Sequence, residues 1–270
     1  MTTSYEGIRL TREGRVAILT FNRPDRLNAL NPRMLYREIP SALDEVAGDG
    51  EVRALVITGE GRGFSSGADI SILAALAADP TGATMEVKPP EPWGYRYGII
   101  DRLRNLPKPT IAAVNGVAVG AGLSFALACD IRIASENARF SSAFVRRGLV
   151  PDNGASFLLP HLVGTARALE LMYTGDIIDA REAERIGLVN RVVPAEDLRT
   201  AAMELAERIA GNPPIALALT KRIVYQWLEQ DLLSQLEYEA YNNKLCRETE
   251  DYKEAVRAFQ EKREPEFKGR

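Results

Sequence analysis

"KPTIAAVNGVAVGAGLSFALACDIRIAS", residues 108–135, is the stretch whose reading decides the fold. "TIAAV" (110–114) is an apolar, β-branched run of strand length, and "DIRIAS" (130–135) is another. Between them Asn115, Gly116 and Gly120 mark turns, and the apolar residues that follow predict a helix near 121–129. Strand, turn, helix and strand in so short a span is the alternation of an α/β core.

The same alternation extends toward the N-terminus. "RVAILTFN" (15–22) and "VRALVIT" (52–58) read as buried strands. Leu35, Ile39, Leu43 and Val46 recur at helical spacing between them, with Asn31 as cap, Pro32 as first helical residue and Pro40 as a kink. Toward the C-terminus helices predominate. Thr165 and Gly175 bracket "ARALELMYT" as caps, and Asp179 with Glu182 opens a helix that Gly187 stops. Leu198, Ala202, Leu205 and Ile209 form one apolar stripe, and Tyr252, Val256 and Phe259 another. The chain therefore divides into an α/β core over 1–192 and a helical region over 193–270. "DPTGATMEVKPPEPWGYRY" (79–97) lacks any periodicity and reads as a lid, an acyl-pocket loop or a surface excursion.

Composition excludes several functions. The 270 residues carry a net charge of −3 with 26% charged side chains, so no basic surface invites nucleic acid or anionic lipid. No apolar run reaches the roughly 18 residues of a membrane span. The opening "MTTSYEGIRLTREG" has no apolar signal region, and two distant thiols, Cys129 and Cys246, fit a reducing cytoplasm. A single histidine, His161, set in an apolar stretch reads as a packed or surface side chain. With two separated cysteines it gives no zinc site and no hydrolase triad.

Two glycine-rich turns carry the chemical signal. "GEGRGFSSGADI" (59–70) and "NGVAVGAGLSFALACD" (115–130) each follow a strand and open a helix. Neither completes a dinucleotide fingerprint or a P-loop. Free N–H groups at two helix starts, aimed at one oxygen, would make an oxyanion hole.

At this point the residues resemble a family. "TFNRPDRLNAL", "FSSGADI", the 108–135 stretch, "ARFSSAF" and "GLVPDNGASFLLPHLVG" occur in the order found in the enoyl-CoA hydratase/isomerase (crotonase) superfamily. "TGDIIDAREAERIGLVNRVVP" and "EAVRAFQEKREPEFKG" carry the resemblance over nearly the whole chain. It implies repeated ββα units with a C-terminal helical region that assembles a homotrimer or a dimer of trimers. It also implies acyl-CoA thioester substrates, with no cofactor beyond the coenzyme A of the substrate itself.

By the same resemblance, the oxyanion donors fall on the main-chain N–H groups of Ala68 and Ala121. Substrate contacts fall on Arg26, Leu27 and Ala29, on Ser66, on Asp69, Ile70 and Ser71 beside Ala68, and on Ser124 and Phe144 together with Ala121. Phe259 and Lys262 reach the coenzyme A of a neighbouring subunit, and Arg146 and Arg147 are surface residues or phosphate contacts.

The resemblance also exposes a departure. Hydratases of the family use two glutamates, and their positions hold Ser124 and Phe144 here. Neither residue can activate water or protonate a carbon. Asp152, in "GLVPD", matches an aspartate of dienoyl-CoA and epoxyphenylacetyl-CoA isomerases. One carboxylate suffices to move a proton between two carbons of an enolate, and burial beside Phe144, Leu149 and Val150 would raise its pKa. Pro-Asp-Asn-Gly is equally a turn, so Asp152 reads either as that base or as the cap of a helix starting near Gly154. An isomerase is expected, with an enoyl-CoA hydratase or other water-adding enzyme using Asp152, or an inactive acyl-CoA-binding protein, as alternatives.

Overall fold

A computed structural model describes residues 2–79, 98–226 and 231–270. Seven strands form the main sheet: β1 (Thr2–Ser4), β2 (Ile8–Glu13), β3 (Val16–Phe21), β4 (Ala54–Gly59), β6 (Thr110–Val114), β8 (Ile131–Ser135) and β11 (Arg191–Val193), in that spatial order. β1, β2 and β3 pair antiparallel, and β3 through β11 run parallel. Every residue of β3 and β6 is buried, which is why both are continuous apolar runs without alternation.

A second sheet stands beside the first. Its strands are β5 (Gly63–Ser65), β7 (Val117–Val119), β9 (Arg139–Ser141) and β10 (Ile178–Asp179), ordered β10-β9-β7-β5. β5, β7 and β9 are parallel, and β10 is antiparallel to β9. Each unit therefore sends one strand to the large sheet and the next to the small one before a helix begins. β4 and β5 lead to α2 (Ile70–Ala78), and β6 and β7 to α4 (Ala121–Ala128). β8 and β9 lead, after a loop, to α5 (Ala155–Val163). These are the expected ββα repeats.

The helices partition between two cores. α1 (Ile39–Gly48), α4, α5 and α6 (Thr165–Thr174) enclose one with the inner face of the large sheet, including Leu19, Leu55, Phe64 and Phe125. α8 (Leu198–Ala210) covers the other face, where Leu198, Ala202 and Ala206 meet Val16, Val56, Ile111 and Ile133. The expected division at 192/193 thus falls inside β11, and α8 beyond it completes a core layer. α9 (Pro214–Gln226), α10 (Leu232–Glu248) and α11 (Glu250–Glu261) follow. Among the described residues no helix is long and apolar enough to cross a membrane.

Local expectations meet two corrections. Asn31 caps as expected, accepting from Met34 N at 2.8 Å, but the chain then winds as a π-helix over Met34–Glu38 before α1. Pro40 has no N–H for a fourth-residue bond, and the wider turn absorbs that loss in place of a sharp kink. Thr165 is the first helical residue of α6, the cap position being Gly164. Of the 79–97 loop, residues 80–97 lie outside the described residues.

Candidate active site

The first glycine turn is held from below. Asn28 is wholly buried; its Nδ2 donates to Glu60 O (2.9 Å) and Gly63 O (2.6 Å), and its Oδ1 accepts from Arg23 N (2.8 Å). Asn115 Nδ2 donates to Gly61 O at 2.8 Å, and Ser65 Oγ to Asn28 O at 2.8 Å. Sequence reasoning passed over Arg23, Asn28, Ser65 and Asn115. Both Arg23 and Asn28 lie within the "NRPDRLNAL" motif, so the signal was present.

A single bridge aims Ala68. Leu30 N donates to Gly67 O and Asp69 N donates to Leu30 O, a parallel bridge between Leu30 and Ala68. In that geometry the flanking residues bond the neighbour, and the N–H of Ala68 points away from it. Among the described residues the Ala68 N–H has no hydrogen-bond partner. Ala121 opens α4, where the first N–H groups of a helix lack internal acceptors, and its N–H is likewise unpaired among the described residues.

The two donors are brought together by the turns themselves. A Cβ built on Gly67 would stand 3.4 Å from Ala121 N and 2.7 Å from Val119 O. Gly67 has φ of +94°, so only glycine fits on both counts. Gly120, with φ 54° and ψ −122°, delivers Ala121 to the start of α4. Edge-on packing of Phe21 against Phe64 (5.4 Å) and Phe125 (5.6 Å) fixes α4 against β5 from within the core. The result is a rigid pair of N–H donors at a buried helix start, suited to an oxygen that gains negative charge.

The remaining expected contacts separate into three groups. Leu27 and Ala29 line the same strap, where Leu27 O accepts from Ser66 N, while Ser66 Oγ donates to Arg26 O at 3.3 Å. Arg26 is exposed, with Asp25 its ion-pair partner at 3.7 Å. Asp69 caps α2 by accepting from Ser71 N and Oγ, and pairs with Arg23 at 2.7 Å; those donors outweigh burial and hold its pKa below the usual range. Ile70 projects into solvent. Phe259 and Lys262 lie at the end of α11, whose C-terminal tail is tied to the N-terminal end of β4 by Arg53 Nη2 to Phe267 O (2.6 Å). The turn bearing Ala68 lies beyond the other end of β4, so one chain does not show these two residues at that turn.

Asp152 does not cap α5. The cap residue is Gly154, in a left-handed conformation, with no side-chain cap bond. Asp152 instead offers its main-chain carbonyl to Ala155 N (3.0 Å) and to the buried hydroxyl of Ser124 (3.2 Å). Its side chain accepts from Asn153 Nδ2 at 2.6 Å. The residue is exposed in the isolated chain, yet its carboxyl is partly stripped of water. That loss of hydration raises its pKa, and the Asn153 bond only partly offsets it. Of the expected apolar surroundings, Phe144 is buried, but Leu149 is 46% and Val150 79% exposed and supply little shielding.

Other ionisable groups have bland settings. Arg146 pins the end of α6 through Thr174 O (3.1 Å) and Asp176 (2.8 Å), and Arg147 is exposed. His161 is exposed, with Nδ1 2.6 Å from Phe157 O. Burial pushes the Cys129 thiol up to about 12, leaving it inert at neutral pH. Among the described residues no cluster of His, Cys, Asp or Glu could hold a metal.

Comparison with known proteins places this geometry in context. Residues 11–270 match the family described as enoyl-CoA hydratase/isomerase. A short-chain-enoyl-CoA hydratase of Clostridium acetobutylicum is 42% identical over 97% of both chains. A 1,2-epoxyphenylacetyl-CoA isomerase of Escherichia coli is 39% identical over 94% of this chain and 95% of that one. Among solved structures, an enoyl-CoA hydratase from Bacillus anthracis superposes with a TM-score of 0.89 at 34% identity, over 98% of this chain and all of the other.

Proposed function

Because the chain belongs to the enoyl-CoA hydratase/isomerase family, we propose that it isomerises an unsaturated acyl-CoA, with Ala68 and Ala121 as oxyanion donors and Asp152 as the proton carrier. The observation that carries the reading is that two free N–H groups stand at adjacent turns and that the helix one of them opens holds the Asp152 turn, through Ser124 Oγ to Asp152 O at 3.2 Å, where the family's two glutamates are absent.

The thioester carbonyl of a 3-enoyl-CoA accepts hydrogen bonds from both N–H groups. The Asp152 carboxylate takes a proton from the α-carbon, whose electron pair moves into the carbonyl oxygen as a dienolate. The two donors stabilise that charge in a water-poor setting. The carboxylic acid thus formed returns its proton to the γ-carbon, and the double bond moves into conjugation with the thioester. No atom is gained from solvent, and the enzyme ends as it began. A base with a raised pKa is the better acceptor of a carbon-bound proton.

Ser124 and Phe144 exclude the two-glutamate route to hydration in this chain. Ser124 is fully buried and its hydroxyl donates to main-chain carbonyls, while Phe144 is 7% exposed and has no proton to give. Hydration through Asp152 alone is the second reading, favoured by relatives named as hydratases. Turnover of 3-hexenoyl-CoA and crotonyl-CoA in heavy-oxygen water separates the two. Isomerase action gives 2-hexenoyl-CoA without the label, and labelled 3-hydroxyacyl-CoA from either substrate supports the hydratase. Absence of turnover with retained acyl-CoA binding supports an inactive binding protein.

Assembly and location extend the same reading. A homotrimer or dimer of trimers in the cytoplasm is supported by family membership and by the exposed stripe of Tyr252, Val256 and Phe259 on α11. Such an assembly would let Phe259 and Lys262 of one copy approach the coenzyme A bound by another.

A further inference from the structure

A half-open cavity of about 140 Å³ lies at the C-terminal end of α4, the end opposite the oxyanion donor Ala121. Its walls are Phe157, Leu158, His161 and Leu162 of α5, and Val224 and Tyr225 of α9; Arg104, at the end of α3 (Ile99–Arg104), closes it. We propose that this cavity binds a carboxylate carried on a small apolar or aromatic body, with Arg104 as its anion anchor.

The charge around the cavity is unbalanced. Asp130 is the only carboxylate lining it among the described residues and is already saturated. Its Oδ2 accepts from Thr110 N (2.7 Å) and Thr110 Oγ1 (3.0 Å) and pairs with Lys221 Nζ (3.0 Å), and its Oδ1 accepts from the Tyr225 hydroxyl. Arg132 is committed as well, donating to Leu188 O and Cys129 O at 2.7 Å each. Arg104 differs. Its guanidinium carbon lies over the Tyr225 ring, 3.5 Å from the centroid, and the group makes no hydrogen bond or ion pair among the described residues. The cation–π contact holds the guanidinium in place and spends none of its N–H donors, which leaves them for a carboxylate.

The body of the ligand is set by the walls. Phe157 and Val224 are each about half exposed, and the Phe157 and His161 rings lie 4.3 Å apart. An engineered cavity of roughly 150 Å³ holds one benzene molecule, so a ring or a short aliphatic segment fills this one. The cavity is also close to the Asp152 turn. Leu158 lines it, and Leu158 Cδ1 stands 3.4 Å from where a Cβ on Gly154 would be. The carboxylate therefore has two sources, the far end of a carboxyl-terminated acyl-CoA or a free small acid.

Benzoate titrated into the protein and followed by ligand-observed NMR tests the site without any turnover, so its outcome is independent of the isomerase reading. We expect saturable millimolar binding to the parent. Arg104→Gln should weaken it by about tenfold or more through loss of the charged donor. Val224→Trp, which fills the mouth, should abolish it; melting curves report folding of both. Initial rates with a carboxyl-terminated acyl-CoA and its methyl-terminated counterpart of equal length identify the source. A kcat/KM preference for the former that disappears in Arg104→Gln, with competition by benzoate, assigns the substrate's own carboxylate. Benzoate binding without that preference assigns a free acid. No benzoate binding together with no preference, or binding unchanged in both folded variants, overturns the proposal.

Discussion

The Ser124 hydroxyl donates to the main-chain carbonyl of Asp152 across 3.2 Å, so the helix that begins with the unpaired N–H of Ala121 also tethers the turn that carries the Asp152 carboxylate. Ser124 is fully buried, and its loss leaves that carbonyl with only Ala155 N as a partner among the described residues. Ser124→Ala should cost about 0.5–1.5 kcal/mol of stability. It should also lower kcat with little change in KM, because the carboxylate loses its register with the donors. Thermal unfolding and initial rates on one preparation check both halves.

The oxyanion assignment predicts sensitivity at two adjacent residues. Ala68→Pro deletes one donor and should reduce turnover by roughly 10²–10³. Gly67→Ala places a Cβ 2.7 Å from Val119 O in a backbone conformation that disfavours it, so it should both destabilise the fold and separate the donors. Parent-level turnover in folded Ala68→Pro protein would remove Ala68 from the mechanism.

Asp152 gives stability and activity opposite dependences on pH. Its folded-state pKa is raised above the 3.8 of a free carboxyl by loss of hydration. Between those two values the folded state holds the proton more tightly than the unfolded chain. The stability due to this group therefore falls as pH rises through the window and is restored below it. Activity follows the other sign, because the base works only when ionised. The acid limb of kcat/KM should lie above the usual carboxylate range, and it should vanish from whatever activity Asp152→Asn retains.

Of the large sheet, β1, β2 and β11 were passed over, but β3, β4, β6 and β8 were legible because long β-branched apolar runs have one stable use, burial in a parallel sheet. The small sheet was not. β5, β7 and β9 have three residues each, too few to show a period, and β5 and β7 lie inside segments that glycine marks as turns. At the site, the family resemblance pointed to Ala68 and Ala121; Ala121 opens a helix, whereas the Ala68 N–H is left free by the Leu30 bridge, which no motif shows. The motif contained Arg23 and Asn28, but their bracing role with Asn115 was passed over, because their partners are brought to them only by the fold. Asp152 shows the limit most clearly. Pro-Asp-Asn-Gly is a turn that offers Asp152 as a cap, yet Gly154 at positive φ takes the cap position and the carboxylate accepts from Asn153 Nδ2 instead.

Exposed apolar side chains on α11 predict self-association. Phe259 is 85% exposed, and Tyr252 and Val256 lie on the same face. Sedimentation at micromolar concentration should show a trimer or hexamer of the 29.7 kDa chain. Phe259→Asp should shift that distribution toward smaller species or raise KM for acyl-CoA. A parent protein that remains monomeric would contradict this expectation.

Exchange of substrate protons with deuterated solvent, measured on Asp152→Asn beside the parent, tests the central claim most directly. An amide cannot take and return a carbon-bound proton at neutral pH, and the side chain caps no helix, so the variant should stay within about 1 kcal/mol of the parent in stability. If Asp152 carries the proton, exchange at the α and γ carbons of 3-hexenoyl-CoA should fall by roughly 10²–10⁴, with isomerisation falling in parallel. Parent-level exchange in a folded Asp152→Asn protein would contradict the account and assign the proton transfer to another group.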